Sequence, residues 1–321
     1  MSVYKKACVT GAGGFIGRAL CESLRDAGVE VTGVDFASGD PGVVAGDISR
    51  DGTWLEALNG CDLVIHTAAI VSMQGDPERF YAINIAGTRR VLDAAVQAGA
   101  KRFIHLSTTG VYSDKFTPDA DESHPVRING NPYVDSKIAA EQVVLQAHAG
   151  GEIPVTVIRP GDVYGPGSRP WTIEPVAMLT KRQLVLPDGG NGIFSPIYLD
   201  DIVAGILAAA ESPAGAGQVF NISCAAGVTN MEFFGHYARM IGTSIPTMPA
   251  ALAVPLAAVG YKLRRVLPVS QEMNAQTVRF MLRTNSHSIV KARELLDWEP
   301  RVDLDEGMRR TEAWLREQGL I

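Results

Sequence analysis

The chain has 321 residues, 46% hydrophobic and 20% charged, with 29 basic and 35 acidic side chains giving a formal net charge of −6. This is the composition of a globular protein with a sizeable core and room for one or two domains. No basic cluster offers a nucleic-acid surface. The longest apolar stretch, Ala250 to Tyr261, contains Pro255 and is too short to span a bilayer, which argues against an integral membrane segment. Cys8, Cys21, Cys61 and Cys224 show no CxxC spacing, and the chain opens directly on a strand pattern. Both features lead us to expect a cytoplasmic protein without a signal peptide.

Short apolar runs alternate with helical patterns through the first half. Ala7–Val9 reads as a first strand; Phe15, Ile16, Ala19, Leu20, Leu24 and Ala27 then keep helical spacing up to Gly28. Val29–Val34 is a second strand ending at Asp35, and a short strand at Val43–Val44 leads to Asp47. Leu63–His66 and Phe103–Leu106 read as buried strands separated by a long helix, Phe80–Ala98. Asn131-Pro132 starts a helix running to about His148, with Asn as cap and Pro in the first turn, and Val155–Ile158 closes the series. Strand and helix repeating in this way predict an α/β fold: a doubly wound parallel sheet (Rossmann) covered on both faces.

After Pro160 the rhythm changes. Residues Gly161 to Phe194 read as loops with one helix near Ile173–Thr180, Ile197–Ala210 returns to strand-then-helix, and the remainder reads as largely helical. The expected organisation is a nucleotide-binding domain over 1–165, to which 196–224 return. A smaller, mostly helical and discontinuous substrate domain covers 166–321.

Gly11, Gly14 and Gly17 fall at the first strand-to-helix junction at intervals of three. Such glycines permit a tight turn, close backbone approach to a phosphate and close packing of helix on strand. The exposed N–H groups and dipole of the helix start favour a pyrophosphate there, with Phe15 and Ile16 in its first turn. Asp35, 18 residues after Gly17, can accept hydrogen bonds from a ribose diol and would repel a 2′-phosphate. No Arg or Lys follows at once, so NAD is expected over NADP. Asp47 and Ile48 end the third strand, where they can border the adenine.

Tyr133 and Lys137 are at i and i+4, neighbours on one helix face. A free phenol is a poor base at neutrality; a nearby ammonium, plus the positive nicotinamide ring, lowers its pKa and makes it a usable acid/base. Lys137 can also hydrogen-bond the nicotinamide ribose, so the pair touches the cofactor as well. Ser107, Thr108 and Thr109 follow a strand at its carboxyl end, where a hydroxyl can hold a substrate oxygen. None of the six histidines shows HxH or HExxH spacing, so no metal site is expected.

These residues resemble the extended short-chain dehydrogenase/reductase family over nearly the whole chain. TGAGGFIG at 10–17 is similar to its TGxxGxxG turn, and Tyr133-x-x-x-Lys137 to its catalytic pair. The Thr108-Thr109-Gly110-Val111-Tyr112 segment resembles its Ser/Thr-x-x-Val-Tyr pattern, which selects Thr108 as the catalytic hydroxyl. His66-Thr67-Ala68-Ala69 looks like the segment beside the cofactor, with Asn84 in the following helix. Arg159 to Gly167 resembles the segment passing the nicotinamide, which implies cofactor contacts at Pro160 and Val163; Asp162 stands where many members carry Asn. Ile197-Tyr198-Leu199-Asp200-Asp201 and Trp298-Glu299-Pro300 are similar to later family signatures. The resemblance implies an NAD-dependent enzyme, a small-molecule substrate, and a homodimer built through the two long helices.

Nucleotide-sugar members of that family usually carry an Arg just before the segment matched by Ile197-Tyr198; here Phe194 stands near that place. Dehydratases carry an Asp-Glu pair after the catalytic Thr, where this chain has Thr109-Gly110. Ala250–Ala258, followed by Leu263, Val266, Leu267 and Val269, resembles the apolar lid of the 3β-hydroxysteroid dehydrogenase-like branch, although a core helix is the simpler explanation. The expectation is alcohol–ketone interconversion on an apolar, steroid-like substrate contacted by Thr109, Asp162, Phe194 and Tyr198. A nucleotide-sugar 4-epimerase with tightly bound NAD is the alternative. A non-catalytic NAD sensor is the minor one.

Overall fold

The computed structural model describes residues 3–37, 39–113, 117–262 and 275–321. Strand β1 (Lys6–Thr10) leads through the glycine turn into helix α1 (Phe15–Asp26), followed by β2 (Glu30–Asp35), β3 (Val43–Ala45) and β4 (Leu63–His66). A continuous helical stretch then comprises α2 (Pro77–Phe80), a π turn (Tyr81–Gly87) and α3 (Thr88–Gln97). Next come β5 (Arg102–Leu106), α4 (Pro132–Ala149), β6 (Val155–Pro160) and β7 (Asp162–Tyr164). Helix α5 (Glu174–Thr180) precedes the short strands β8 (Leu186–Pro187), β9 (Ile193–Phe194) and β10 (Pro196–Tyr198). The chain continues through α6 (Leu199–Glu211), β11 (Gln218–Ile222), β12 (Val228–Thr229), α7 (Asn230–Met240) and β13 (Thr247–Met248). It ends with α8 (Ala250–Lys262), α9 (Ala275–Met281), α10 (Val290–Leu296) and α11 (Leu304–Glu317).

Seven strands form one sheet in the order β11-β6-β5-β4-β1-β2-β3, all pairs parallel. Its strands are nearly all apolar because both faces are covered: Val9, Leu63, Ile65, Ile104 and Ile158 belong to one core, and Cys8, Val64, Phe103, Val155 and Val157 to the other. From β1 the connections run one way to β2 and β3 and the other way to β4, β5, β6 and β11. The carboxyl ends of β1 and β4 therefore flank a topological switch point, where open α/β sheets bind ligands.

The helix starts follow their caps. Asn131 accepts hydrogen bonds from Tyr133 N and Val134 N, with Pro132 in the first turn of α4. Asp76 accepts from Glu78 N at the start of α2, so this helical stretch begins at Pro77, three residues before the expected Phe80. The C-terminal half has its own core, centred on Phe194, Phe233, Phe234, Tyr237, Tyr164 and Tyr198.

One expectation is overturned in α8. Packing of this helix in the core was the simpler reading of Ala250–Ala258, yet Leu252 and Leu256 are 56% and 55% exposed, and Val259 is 53% exposed. Only Ala253 is buried among the described side chains of this helix, whose main packing partner is α9. The continuation, Leu263, Val266, Leu267 and Val269, lies outside the described residues. No helix among the described residues is long and apolar enough to cross a membrane.

Candidate functional site

A cavity of about 1440 Å³ runs along the carboxyl edge of the sheet. Its nucleotide end is built by the glycine turn. Gly11 sits at φ +75°, a backbone conformation that favours glycine, and a Cβ there would lie 2.6 Å from Thr67 Oγ1. A Cβ on Gly17 would lie 2.0 Å from Gly11 O, so α1 packs against the turn at a distance only glycine allows. Gly14 caps α1 without a side-chain hydrogen bond, leaving the first N–H groups of the helix facing the cavity mouth. Gly11, Gly14, Phe15, Ile16, Gly17, Asp35, Asp47 and Ile48 all line this end. Asp35 Oδ2 also accepts from Gly13 N at 3.0 Å, which ties the end of β2 to the turn. Asp47 accepts from Ser49 N and Ser49 Oγ, and these bonds hold its carboxyl below the ordinary value. Glycine turn, open helix start and strand-end carboxylate together fit a dinucleotide.

Thr67, Ala68 and Ala69, after β4, form the adjoining wall. The Thr67 hydroxyl donates to Thr10 O at 2.7 Å, bridging the two strands at the switch point. Asn84 stabilises the same loop from the π turn: its Oδ1 accepts from Ile70 N at 2.8 Å, and its Nδ2 donates to Ile70 O and to Ser136 Oγ. Ser136 Oγ donates in turn to Tyr133 O, so Asn84 couples the loop after β4 to the helix turn that carries the phenol. π turns recur at functional sites because they re-aim one side chain without ending the helix.

Thr108, Tyr133 and Lys137 meet at the centre of the cavity. Thr108 hydrogen-bonds the Tyr133 phenol and accepts from Gly110 N at 3.1 Å, capping the short turn Thr109–Tyr112. Burial pushes the Tyr133 phenol up to about 12, against the pull of Thr108. In the chain alone burial prevails, with Lys137 Nζ donating to Leu106 O; the lowering expected from the sequence rests on the positive nicotinamide ring as well. Burial also brings the Lys137 ammonium down to about 8, opposed by Glu141. Beneath the pair, His66 is fully buried and held neutral, its pKa drawn down to about 3 by burial and then by Lys137. Its Nε2 lies 2.9 Å from Thr88 Oγ1, whose proton goes to Asn84 O, and its Nδ1 lies 2.6 Å from Thr10 Oγ1. This pattern assigns the proton to Nε2.

Ser107, Thr109, Pro160, Asp162 and Val163 also line the cavity. Two of them have committed side chains. Ser107 Oγ donates to Glu141, and the Asp162 carboxylate accepts from Arg283 and from Ser195 N, leaving it a strut between β7 and the segment after α9. Two expected substrate contacts are corrected. Phe194 and Tyr198 are 1% and 4% exposed and do not line the cavity; Phe194 packs on Phe233 at 4.1 Å between ring centroids, and Tyr198 on Tyr164 at 5.5 Å. Two-residue and three-residue strands turn these rings into the C-terminal core.

The far end of the cavity is walled by residues that sequence reasoning did not place in the site: Met73, Trp171, Met178, Phe280 and Met281 are apolar, while Gln276 and Asn131, read from sequence only as the cap of α4, are polar. Apart from that cap their only sequence signal was composition, because they come from four separate segments. Asn84 was legible only through the family resemblance. Among the described residues no group of His, Cys, Asp or Glu is placed to hold a metal ion.

A profile of the NAD dependent epimerase/dehydratase family matches residues 7–223. A 3beta-hydroxysteroid-dehydrogenase/decarboxylase from Arabidopsis thaliana is 29% identical over 304 residues, covering 88% of this chain and 68% of the plant protein. A 4-hydroxy-2-methyl-3-oxo-4-farnesyl-3,4-dihydroquinoline-1-oxide ketoreductase from Stigmatella aurantiaca is 28% identical, covering 94% of this chain and 93% of its own. Among solved structures, MoeE5 in complex with UDP-glucose and NAD superposes with a TM-score of 0.79 at 23% identity, covering 98% of this chain and 99% of that one. The glycine turn, the switch-point cavity and the match over residues 7–223 lead to one conclusion: the chain belongs to the NAD dependent epimerase/dehydratase family, within the extended short-chain dehydrogenases/reductases, and is an NAD-dependent enzyme.

Proposed function

We propose that this enzyme interconverts a secondary alcohol and a ketone on an apolar substrate. The observation that carries this reading is the cavity itself. It passes from the glycine turn over Thr108, Tyr133 and Lys137 into a chamber walled by Met73, Trp171, Met178, Phe280 and Met281. A chamber of this kind gains about 25 cal/mol for each Å² of apolar substrate surface it takes from water. Arg283 offers no diphosphate contact there, since its guanidinium is bonded to Asp162 and Ile193 O.

In this reading Thr108 holds the carbinol or carbonyl oxygen, Tyr133 exchanges its proton, and Lys137 together with the positive ring of a bound nicotinamide would bring down the phenol that burial holds at about 12. A nicotinamide held between the glycine turn and this triad would supply the hydride chemistry. Ser107 and Asp162 keep the chamber floor rigid. The kinship with a sterol dehydrogenase and a ketoreductase of a farnesylated ring supports an apolar substrate. The test is a panel of sterols, prenylated ketones, long-chain alcohols and nucleotide sugars, read by NADH absorbance at 340 nm. Turnover with an apolar member that is abolished by Tyr133→Phe, with NAD affinity kept, is the expected result. Loss of NAD binding in Tyr133→Phe would contradict the assignment.

One observation favours a second reading. Lys181 and Arg279 also line the cavity and could meet a phosphate, as a nucleotide-sugar epimerase requires. That enzyme would retain NAD through purification and release no NADH, so the same panel, followed by sugar analysis, separates the two.

A further inference from the structure

Helix α4 carries a third polar side chain in register with Tyr133 and Lys137. Glu141 follows Lys137 by one helical turn and has 0% exposure. Its carboxylate accepts from Ser107 Oγ and takes Nε and Nη2 of Arg159, at 2.9 and 2.7 Å. Arg159 is itself fixed, donating through Nη1 to the Tyr112 hydroxyl at 2.8 Å, which donates to Asn221 Oδ1 at 2.8 Å. Lys137 donates to Leu106 O, and Glu141 accepts from the next residue, Ser107. Two successive turns of α4 thus clamp the last residues of β5, immediately before Thr108.

We propose that Glu141 is a positioning residue for Lys137. It fixes the end of β5 against α4 and places a carboxylate, itself paired with Arg159, one helical turn from the ammonium. The titratable and charged groups around Lys137 are Tyr133 and Glu141 on its own helix, His66 on β4, His105 on β5 and, paired with Glu141, Arg159 on β6. Both imidazoles are fully buried, and burial keeps them neutral at physiological pH. The phenol of Tyr133 is neutral as well. Among the described residues Glu141 is therefore the group that opposes the burial penalty on the ammonium. Without it, a lysine already drawn down to about 8 would fall toward neutrality and lose its charge where the reaction needs it.

The proposal rests on Tyr133 and Lys137 being the proton-exchanging pair, but its test reads Lys137 without substrate or turnover. The chain has eight lysines, so protein labelled with ¹³C at lysine Cε gives a countable spectrum, and the resonance missing from Lys137→Arg is that of Lys137. In the full-length protein its midpoint is followed against pH. Glu141→Gln is expected to lower the midpoint by about one pH unit, a tenfold loss of proton affinity. Ser107→Ala removes the strand clamp without changing charge, and should leave the midpoint within about 0.3 units.

Should Glu141→Gln fail to fold for want of a partner to Arg159, Glu141→Gln combined with Arg159→Met removes both charges; a downward shift smaller than about one unit is expected, because loss of the guanidinium offsets part of the loss of the carboxylate. An unmoved midpoint in a folded variant lacking Glu141, or an equal shift in Ser107→Ala, would overturn the proposal.

Discussion

Replacing Gly17 by alanine tests the nucleotide end of the cavity most directly. The added methyl would sit 2.0 Å from Gly11 O and 2.8 Å from Gly11 C, whereas ordinary contact begins at 3.4 Å. The neighbour is backbone, so relief requires α1 to retreat from the turn by at least the 1.0 Å that separates 2.0 Å from 3.0 Å. Overpacking of this kind costs about 1–3 kcal/mol, which for a chain of this size lowers Tm by roughly 2–6 °C. The same retreat carries the free N–H groups of α1 away from the pyrophosphate. Losing one charge-assisted hydrogen bond, about 1.5–3 kcal/mol, weakens NAD binding by roughly 10- to 100-fold. Calorimetric titration with NAD and thermal melts read both effects. Gly235→Ala is the control, because its methyl meets only the flexible end of Arg239 at 3.4 Å and it lies within helix α7. If Gly17→Ala bound NAD within twofold of the parent and melted at the same temperature, the packing argument for this turn would be wrong.

Asp162→Ala should cost about 3–5 kcal/mol in urea unfolding, because it strands the buried Arg283 guanidinium, while Asp162→Asn should cost less. An equal cost for both would show that the ion pair does not act through charge. Phe194→Ala should destabilise by about 3–5 kcal/mol and leave the NAD dissociation constant unchanged; a selective loss of cofactor binding would return Phe194 to the site. His66 titrates at about 3 in the folded chain against an ordinary 6.5. Between these values the unfolded chain binds the proton and the folded one does not. Its contribution is therefore complete above pH 6.5 and is lost as pH falls, by up to about 1.4 kcal/mol per pH unit. Unfolding free energies at pH 7, 6 and 5 should fall less steeply in His66→Asn than in the parent; parallel slopes would refute the neutral-imidazole assignment.

The parts of the site that were legible in the sequence are those encoded within one or two turns of chain. Gly11, Gly14 and Gly17 announce a strand–turn–helix because their spacing is local, and Tyr133 and Lys137 share a helix face by periodicity alone. The sheet followed from alternating apolar runs, whose two-sided burial the structure reproduces. What failed depends on distant partners. Phe194 occupies a two-residue strand, where a shift of one position would reverse the face it presents, so its neighbours Phe233 and Phe234 decide where it points. The apolar run of α8 reads as core by composition, but nothing local says that Leu252, Leu256 and Val259 are left exposed. The walls made by Trp171, Phe280 and Met281 come from segments more than 100 residues apart, brought together only by the completed C-terminal core.

The π turn at Tyr81–Gly87 has a consequence for how this gene can drift. A π turn holds an additional residue within an otherwise regular helix, so the segment is one deletion away from uninterrupted α-helix. Each α-helical residue turns the chain by about 100°. Loss of one codon between Asn84 and Gly87 would leave Thr88–Gln97 anchored in the sheet-facing core and swing Asn84 by that angle, off both Ile70 and Ser136. The shortened helix would gain a regular backbone while the loop after β4 came loose. Length at this point is therefore a functional constraint, although the residues themselves read as an ordinary helix.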